Sequence, residues 1–202
     1  SVVREADAVA ADAPLLRQLP ALYGGALAAL RLREPATVTR LQARLARLQP
    51  PDPAVARVLR LLDGELALAA GDAERALRAA GMRPALRPEL LLAAEAGLRL
   101  AQPEGAALAA ERLQSWVADH PSDATAWQLL SQAQAARGQP LRALRAEAEA
   151  RVAMLDYEAA VDRLRAAQEQ ARRGGGDHIE ASIIDARLRQ VQSLLREQAA
   201  ER

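Results

Sequence analysis

Small residues return along this chain at a fixed interval. Gly64, Gly97 and Ser131 are spaced by 33 and 34 residues, and Ala76, Ala109 and Ala143 follow at the same spacings. Pro88 and Pro121 also lie 33 apart. A period of this length belongs to a supersecondary unit that cannot bury its apolar face alone, so successive units must stack. Each unit reads as two antiparallel helices. Where these cross, a small residue on the first helix must face one on the second. Gly64, Gly97 and Ser131 fill the first role; Ala76, Ala109 and Ala143 fill the second. Gly71 and Gly138 fall at the turns, where a left-handed residue ends a helix. Proline cannot continue a helix, and is expected to punctuate the gaps between units.

The composition favours helices. Alanine, leucine and arginine dominate, and all are strong helix formers. Phe is absent and aromatics are 2% of the chain, which argues against a sandwich or barrel. With no Cys, disulfides and thiolate metal sites are excluded. A net charge of +1, from 27 basic and 26 acidic residues, sets up no field that would hold nucleic acid. Every basic residue is arginine, but the arginines are scattered rather than clustered. No apolar run reaches the ~18 residues of a membrane span. The opening residues are not a signal peptide and read as the middle of a helix, which predicts a piece of a longer protein.

Four regions follow. Residues 1–14 read as a linker or frayed helix. Residues 15–53 read as a diverged helical pair, turning at Glu34-Pro35 with Thr37 or Thr39 capping the second helix, and ending in the rigid Pro50-Pro51-Asp52-Pro53. Residues 54–157 hold three repeats. In residues 158–202, a final second-type helix starting near Asp156 breaks at Arg172-Arg173-Gly174-Gly175-Gly176 and is followed by a capping helix. Ala160 comes only 17 residues after Ala143, half a repeat, so the helix over 140–153 should pack on both neighbours. In the capping helix Ile179, Ile183, Ile184, Leu188, Val191 and Leu195 read as the buried stripe, with Glu180, Asp185, Arg187, Arg189 and Arg196 outward.

The repeat resembles the tetratricopeptide pattern, Trp-x2-Leu-Gly-x2-Tyr, then Ala-x3-Phe, then Pro, over about 34 residues. Trp127, Leu130, Ser131 and Ala143 match it, while Gln134 stands in place of Tyr, and Ala80 and Glu147 in place of Phe. The expected fold is all-α: a tetratricopeptide-like superhelix of antiparallel helix pairs with a C-terminal capping helix. In such a fold the first helix of each pair lines the concave face. That assigns Val58, Leu61, Glu65 and Leu68 to the face in one unit, Leu91, Ala94, Leu98 and Ala101 in the next, and Thr125, Gln128, Gln132 and Ala135 in the third. The face is apolar at one end and amide-rich at the other. It lacks the Lys, Asn and Arg set that clamps a terminal carboxylate, and suits an extended polypeptide partner.

Catalytic constellations are missing from the sequence. Neither His120 nor His178 belongs to an HExxH motif. His120 is placed to bond carbonyls at a helix end, and Asp177 to cap the helix that His178 begins. Ser115, Ser131, Ser182 and Ser193 lack a Gly-x-Ser-x-Gly context. Gly174-Gly175-Gly176 follows no apolar strand and precedes no Lys, so it reads as a loop, not a phosphate cradle. Glu74 with Arg78 and Glu147 with Arg151 read as surface pairs one helical turn apart. Trp127 reads as packed between helices, and Trp116 as packing on the next unit. The chain itself is expected to bind no metal or cofactor.

Three stretches resemble the C-terminal repeat region of periplasmic zinc metallopeptidases of the BepA (YfgC) type, the β-barrel assembly-enhancing proteases related to HtpX. Tyr23-Gly24-Gly25-Ala26-Leu27-Ala28 is similar to the family's entry helix. Ala126-Trp127-Gln128-Leu129-Leu130, with Leu141 to Glu147, resembles its last complete repeat. Ile179 to Leu188 resembles its closing helix. The resemblance implies a periplasmic module docking a protease onto outer-membrane β-barrel assembly machinery or its clients, or covering the protease's own cleft. Zinc would belong to the protease domain, whose motifs this chain lacks. A stand-alone tetratricopeptide scaffold is the other expectation.

Overall fold

A computed structural model describes residues 2–174 and 177–200. The regular structure among them is helical: α1 (Val2–Ala8), α2 (Leu15–Arg31), α3 (Pro35–Leu45), α4 (Pro53–Ala69), α5 (Ala73–Ala80), α6 (Arg87–Arg99), α7 (Pro103–Asp119), α8 (Ala124–Ala136), α9 (Pro140–Ala153), α10 (Tyr157–Gly174) and α11 (His178–Ala200). Consecutive helices pack as pairs, α2 with α3, α4 with α5, α8 with α9 and α10 with α11. The chain forms two compact units, Ser1–Ala96 and Gly97–Arg202, divided within α6.

Aspartates start five of these helices. Asp52, Asp72, Asp123, Asp156 and Asp177 each accept a backbone N–H from the first turn, at 2.7–3.2 Å. This satisfies a donor that the helix cannot satisfy itself. Of the two prolines expected between units, Pro121 lies in the gap between α7 and α8, whereas Pro88 is the second residue of α6. Pro35, Pro53, Pro103 and Pro140 are the first residues of α3, α4, α7 and α9, where the missing N–H costs nothing. Because α3 starts at Pro35, neither Thr37 nor Thr39 caps it. Thr39 instead donates back to the Pro35 carbonyl at 3.0 Å.

One turn closes five helices. Gly71 and Gly138 take positive φ, +88° and +68°, as their sequence positions predict. Arg33, Ala101 and Leu155 do the same at φ 58°, 53° and 61°. After α4, the Gly71 N–H donates to Leu68 O and the Asp72 N–H to Ala67 O. The same pair of bonds follows Arg33, Gly138 and Leu155, the double closure of a Schellman cap.

Helix crossings depend on missing side chains. A Cβ on Gly64 would lie 2.6 Å from Leu92 Cδ2 and 2.8 Å from Ala79 Cβ, with the Ala76 carbonyl at 3.6 Å. Gly64 therefore admits α6 as well as α5. Gly97 does not face Ala109 as expected. It meets the backbone of Gly105, where a Cβ would come 2.6 Å from Gly97 O. Ala109, one turn further along α7, is buried. The first unit's core gathers Leu22, Leu41, Leu45, Leu62 and Leu66 around Ala26 and Ala29. In the second unit, Val161, Leu164, Ile184, Leu188 and Val191 close over Ala148, Ala160 and Ala167. As the half-repeat spacing predicts, α9 packs on α8 and α10, and also touches α11.

Other expectations are corrected. Residues 2–8 are not frayed. Ala6 is fully buried against Gly25, and Arg44 donates to the Ala6 and Val9 carbonyls at 2.8 and 2.5 Å, tying down the end of α1. In α11 the buried stripe is turned. Ile184, Leu188 and Val191 are buried, but Ile179 is 77% exposed and Ile183 is also exposed, whereas Glu180 is only 4% exposed. Glu147 and Arg151 do not pair with each other. Glu147 meets Arg163 at 3.2 Å and Arg151 meets Asp156 at 3.9 Å, while Glu74 and Arg78 pair as expected at 3.7 Å. The predicted glycine break lies partly outside the described residues; α10 itself continues through Arg173 to Gly174.

Candidate polypeptide-docking face

In the first unit, α4 meets α6 at two points. Arg57 on α4 meets Glu89 on α6, and further along both helices Gly64 receives Leu92. Val58, Leu61, Glu65 and Leu68 recur on α4 at steps of 3, 4 and 3, which places them on one helical stripe. The stripe is only partly open. Val58 is 46% exposed, Glu65 is exposed and Leu61 is half-buried, but Leu68 is buried. On α6, Leu91 and Leu98 are half-buried and Ala94 is buried. Leu68 and Ala94 are therefore packing residues and leave the candidate face. Ala101 is the left-handed residue closing α6, and is part of a turn instead of a helix face.

In the second unit, Thr125, Gln128, Gln132 and Ala135 form the exposed stripe of α8. Its opposite side is inward: Trp127, Leu130 and Ala133 are buried, as the repeat pattern requires. Trp127 donates its indole N–H to the Pro121 carbonyl at 3.0 Å, which fixes the entry to α8. Ser131 is half-buried, and Ala143 is buried on α9. Trp116 stacks on His120 with ring centroids 3.8 Å apart and donates to Asp123 at 2.9 Å. It thus joins the end of α7 to the start of α8. His120 Nδ1 lies 3.1 Å from the Trp116 carbonyl, the helix-end role expected for it.

Two features of the electrostatics were hidden in the sequence. On α4, Glu65 is exposed as a residue, but partial desolvation of its carboxyl raises it above its ordinary value, and the charge of Glu95 on α6 adds to the push. The first unit's stripe therefore carries a carboxylate among apolar neighbours. The second feature is a repeated clasp. Glu89, 6% exposed, is held by Arg57 through both carboxylate oxygens, with Arg60 at 3.8 Å. Glu180 is held by Arg145, with Arg142 at 3.7 Å. Each clasp is an Arg-x-x-Arg on one helix gripping the third residue of another. The Arg187–Glu149 pair, with both bonds at 2.7 Å, ties α11 to α9 again. The sequence signal was present: an Arg-x-x-Arg about one repeat upstream of a first-turn Glu.

No protein-family model matches this chain, and no curated protein does. Among the described residues no three or more of His, Cys, Asp and Glu gather where they could hold a metal ion. No helix among them is long and apolar enough to cross a membrane. The stripes on α4, α6 and α8 offer exposed aliphatic, amide and hydroxyl groups with a single carboxylate.

Proposed function

We propose that this chain is a protein-interaction module with a tetratricopeptide-like superhelical arrangement. On this reading it is the repeat region of a periplasmic zinc metallopeptidase of the BepA type, docking that protease to outer-membrane β-barrel assembly factors or their client proteins. The observation that carries the reading is the pair of open stripes, Val58 and Glu65 exposed with Leu61 half-buried on α4 and Thr125, Gln128 and Gln132 exposed on α8, each on the first helix of a packed pair. The recurrence of one turn and one ion-pair clasp along the chain supports a repeat origin. The likeness of the Tyr23–Ala28 and Ile179–Leu188 stretches to the metallopeptidase family supplies the parent enzyme. Zinc and catalysis belong to that parent's protease domain.

A photoreactive residue placed at Val58, and separately at Gln128, tests this. In periplasmic and outer-membrane extract both should crosslink to β-barrel assembly components or unfolded barrel proteins. Val58→Glu and Gln128→Glu should lower that capture while leaving the helical circular dichroism unchanged. Folded variants that capture the same partners equally well would refute the docking face, and crosslinking confined to a zinc-protease domain would make the module an intramolecular cover.

A further inference from the structure

The face of the first unit repeats one arrangement on two helices. On α4 the half-buried Leu61 stands one turn before the exposed Glu65, and on α6 the half-buried Leu91 stands one turn before the half-buried Glu95. Residues four apart share a helical face, about 6 Å from each other along the axis. The two helices meet beside these residues, where Gly64 receives Leu92. Glu65 and Glu95 are close enough for the charge of one to act on the other. Glu65 thus has an aliphatic neighbour on its own helix and a second carboxylate across the contact.

Glu65 also differs from the carboxylates around it. Asp63, two residues earlier on α4, accepts from Arg75 Nε at 2.9 Å and from Arg75 Nη2 at 2.5 Å. Glu89, in the first turn of α6, is gripped by Arg57. Among the described residues Glu65 has neither a hydrogen bond nor an ion pair. Its carboxyl is partly desolvated and feels a like charge, and both effects disfavour the charged form. A cation brought by a partner would offset both. Arginine suits the place better than lysine. Its guanidinium is more weakly hydrated, and its fork of donors matches a carboxylate.

We propose that this face selects an extended polypeptide segment with an arginine two residues from an aliphatic side chain, the guanidinium on Glu65 and the aliphatic group over Leu61 and Leu91. The spacing follows from the helix. Two residues of extended chain advance about 6.6 Å and return to the same side, close to the step from Leu61 to Glu65. The charge of Glu95 strengthens the hold. The inference rests on the docking reading above and names the chemistry of the segment that docks.

Fluorescence anisotropy of the 202-residue chain with three labelled, end-blocked pentapeptides decides it. The first reads leucine, serine, arginine, serine, leucine, so that a leucine lies two residues from the arginine in either chain direction. The second has citrulline, the neutral analogue of arginine, at its centre, and the third has glutamate. The arginine peptide should bind about tenfold more tightly than the citrulline peptide, the scale of one charge-assisted hydrogen bond, and the glutamate peptide should be weakest. Added salt should weaken the arginine peptide and spare the citrulline one. Glu65→Gln should remove the arginine advantage, and Glu65→Arg should reverse the order in favour of the glutamate peptide. Both substitutions fall at an exposed position and should leave the helical circular dichroism unchanged. Equal binding of the three peptides, or an arginine advantage that survives in folded Glu65→Gln, would overturn the selection and leave the docking face standing. Binding of none would overturn the selection and, at this face, the docking reading with it.

Discussion

Arg57 grips Glu89 across 32 residues of sequence, its Nε and Nη2 each donating to a different carboxylate oxygen. Glu89 lies in the first turn of α6, where unsatisfied N–H groups already favour a negative charge. The hydrogen bond from Arg57 holds the Glu89 carboxyl below its ordinary value, outweighing the upward push of its burial. A depressed carboxyl contributes stability above its unfolded value, about 4.3, and loses it as pH falls through the folded value. The urea midpoint should therefore decline as pH drops below about 4. Glu89→Gln should have a lower midpoint at pH 7 and a shallower acid decline. Parallel acid profiles for the two proteins would show that Glu89 is not a source of the acid sensitivity.

The left-handed turns make a prediction of opposite sign at equivalent positions. Leu155 adopts φ 61° with its side chain 64% exposed, so it has the cost of this conformation with little packing in return. That cost is about 1–2 kcal/mol for a residue with a Cβ. Leu155→Gly should stabilise the protein by roughly 0.5–1 kcal/mol, since glycine's extra unfolded-state freedom offsets part of the relief. Gly138→Ala, at φ 68°, should destabilise by about 1 kcal/mol. Thermal melts of the two variants should move in opposite directions from the parent.

Gly97 and Gly105 test whether the missed crossing is a true close approach. A Cβ on Gly105 would meet the Gly97 backbone carbonyl at 2.6 Å, and a backbone atom cannot rotate away. Gly105→Ala should cost a net 1–2 kcal/mol or so, overpacking exceeding the gain in helix propensity. Gly24→Ala is the control. Its Cβ would stand 3.3 Å from Val2 Cγ1, the end of a side chain, so the propensity gain should leave stability unchanged or raised. Equal losses in chemical denaturation would show that both sites respond to propensity instead of contact.

Glycine marked the turns at Gly71 and Gly138 because its conformational freedom is written in its identity. Arg33, Ala101 and Leu155 take the same conformation because tertiary packing sets where their helices must stop, which residue type does not reveal. Trp127, Leu130 and Ala143 were legible as interior from the repeat alone. The candidate face was legible on α8, where Thr125, Gln128 and Gln132 are exposed, but not at Leu68 or Ala94. Periodicity gives a residue's position around its helix, and a neighbouring helix then decides whether that position is covered. The clasps were missed for a related reason: charge on a sequence reads as solvent-facing until its partner, about a repeat away, is known.

The turned stripe of α11 gives the clearest test of that distinction. By apolar pattern alone Ile179, Ile183 and Ile184 are equivalent, since each lies within the same amphipathic run. The hydrogen bond from Arg145 to Glu180 instead fixes the helix so that Glu180, Ile184, Leu188 and Val191 face the core at steps of 4, 4 and 3. Ile184 is completely buried against the α9–α10 side of the second unit's core, and Ile179 stands in solvent. Ile184→Ala should therefore cost about 2–5 kcal/mol, the loss of buried methyl groups plus the cavity they leave. Ile179→Ala should change stability by no more than about 0.5 kcal/mol. Urea denaturation of the two variants separates the structural stripe from the sequence one, and a loss at Ile179 comparable to that at Ile184 would place the helix in the other rotation.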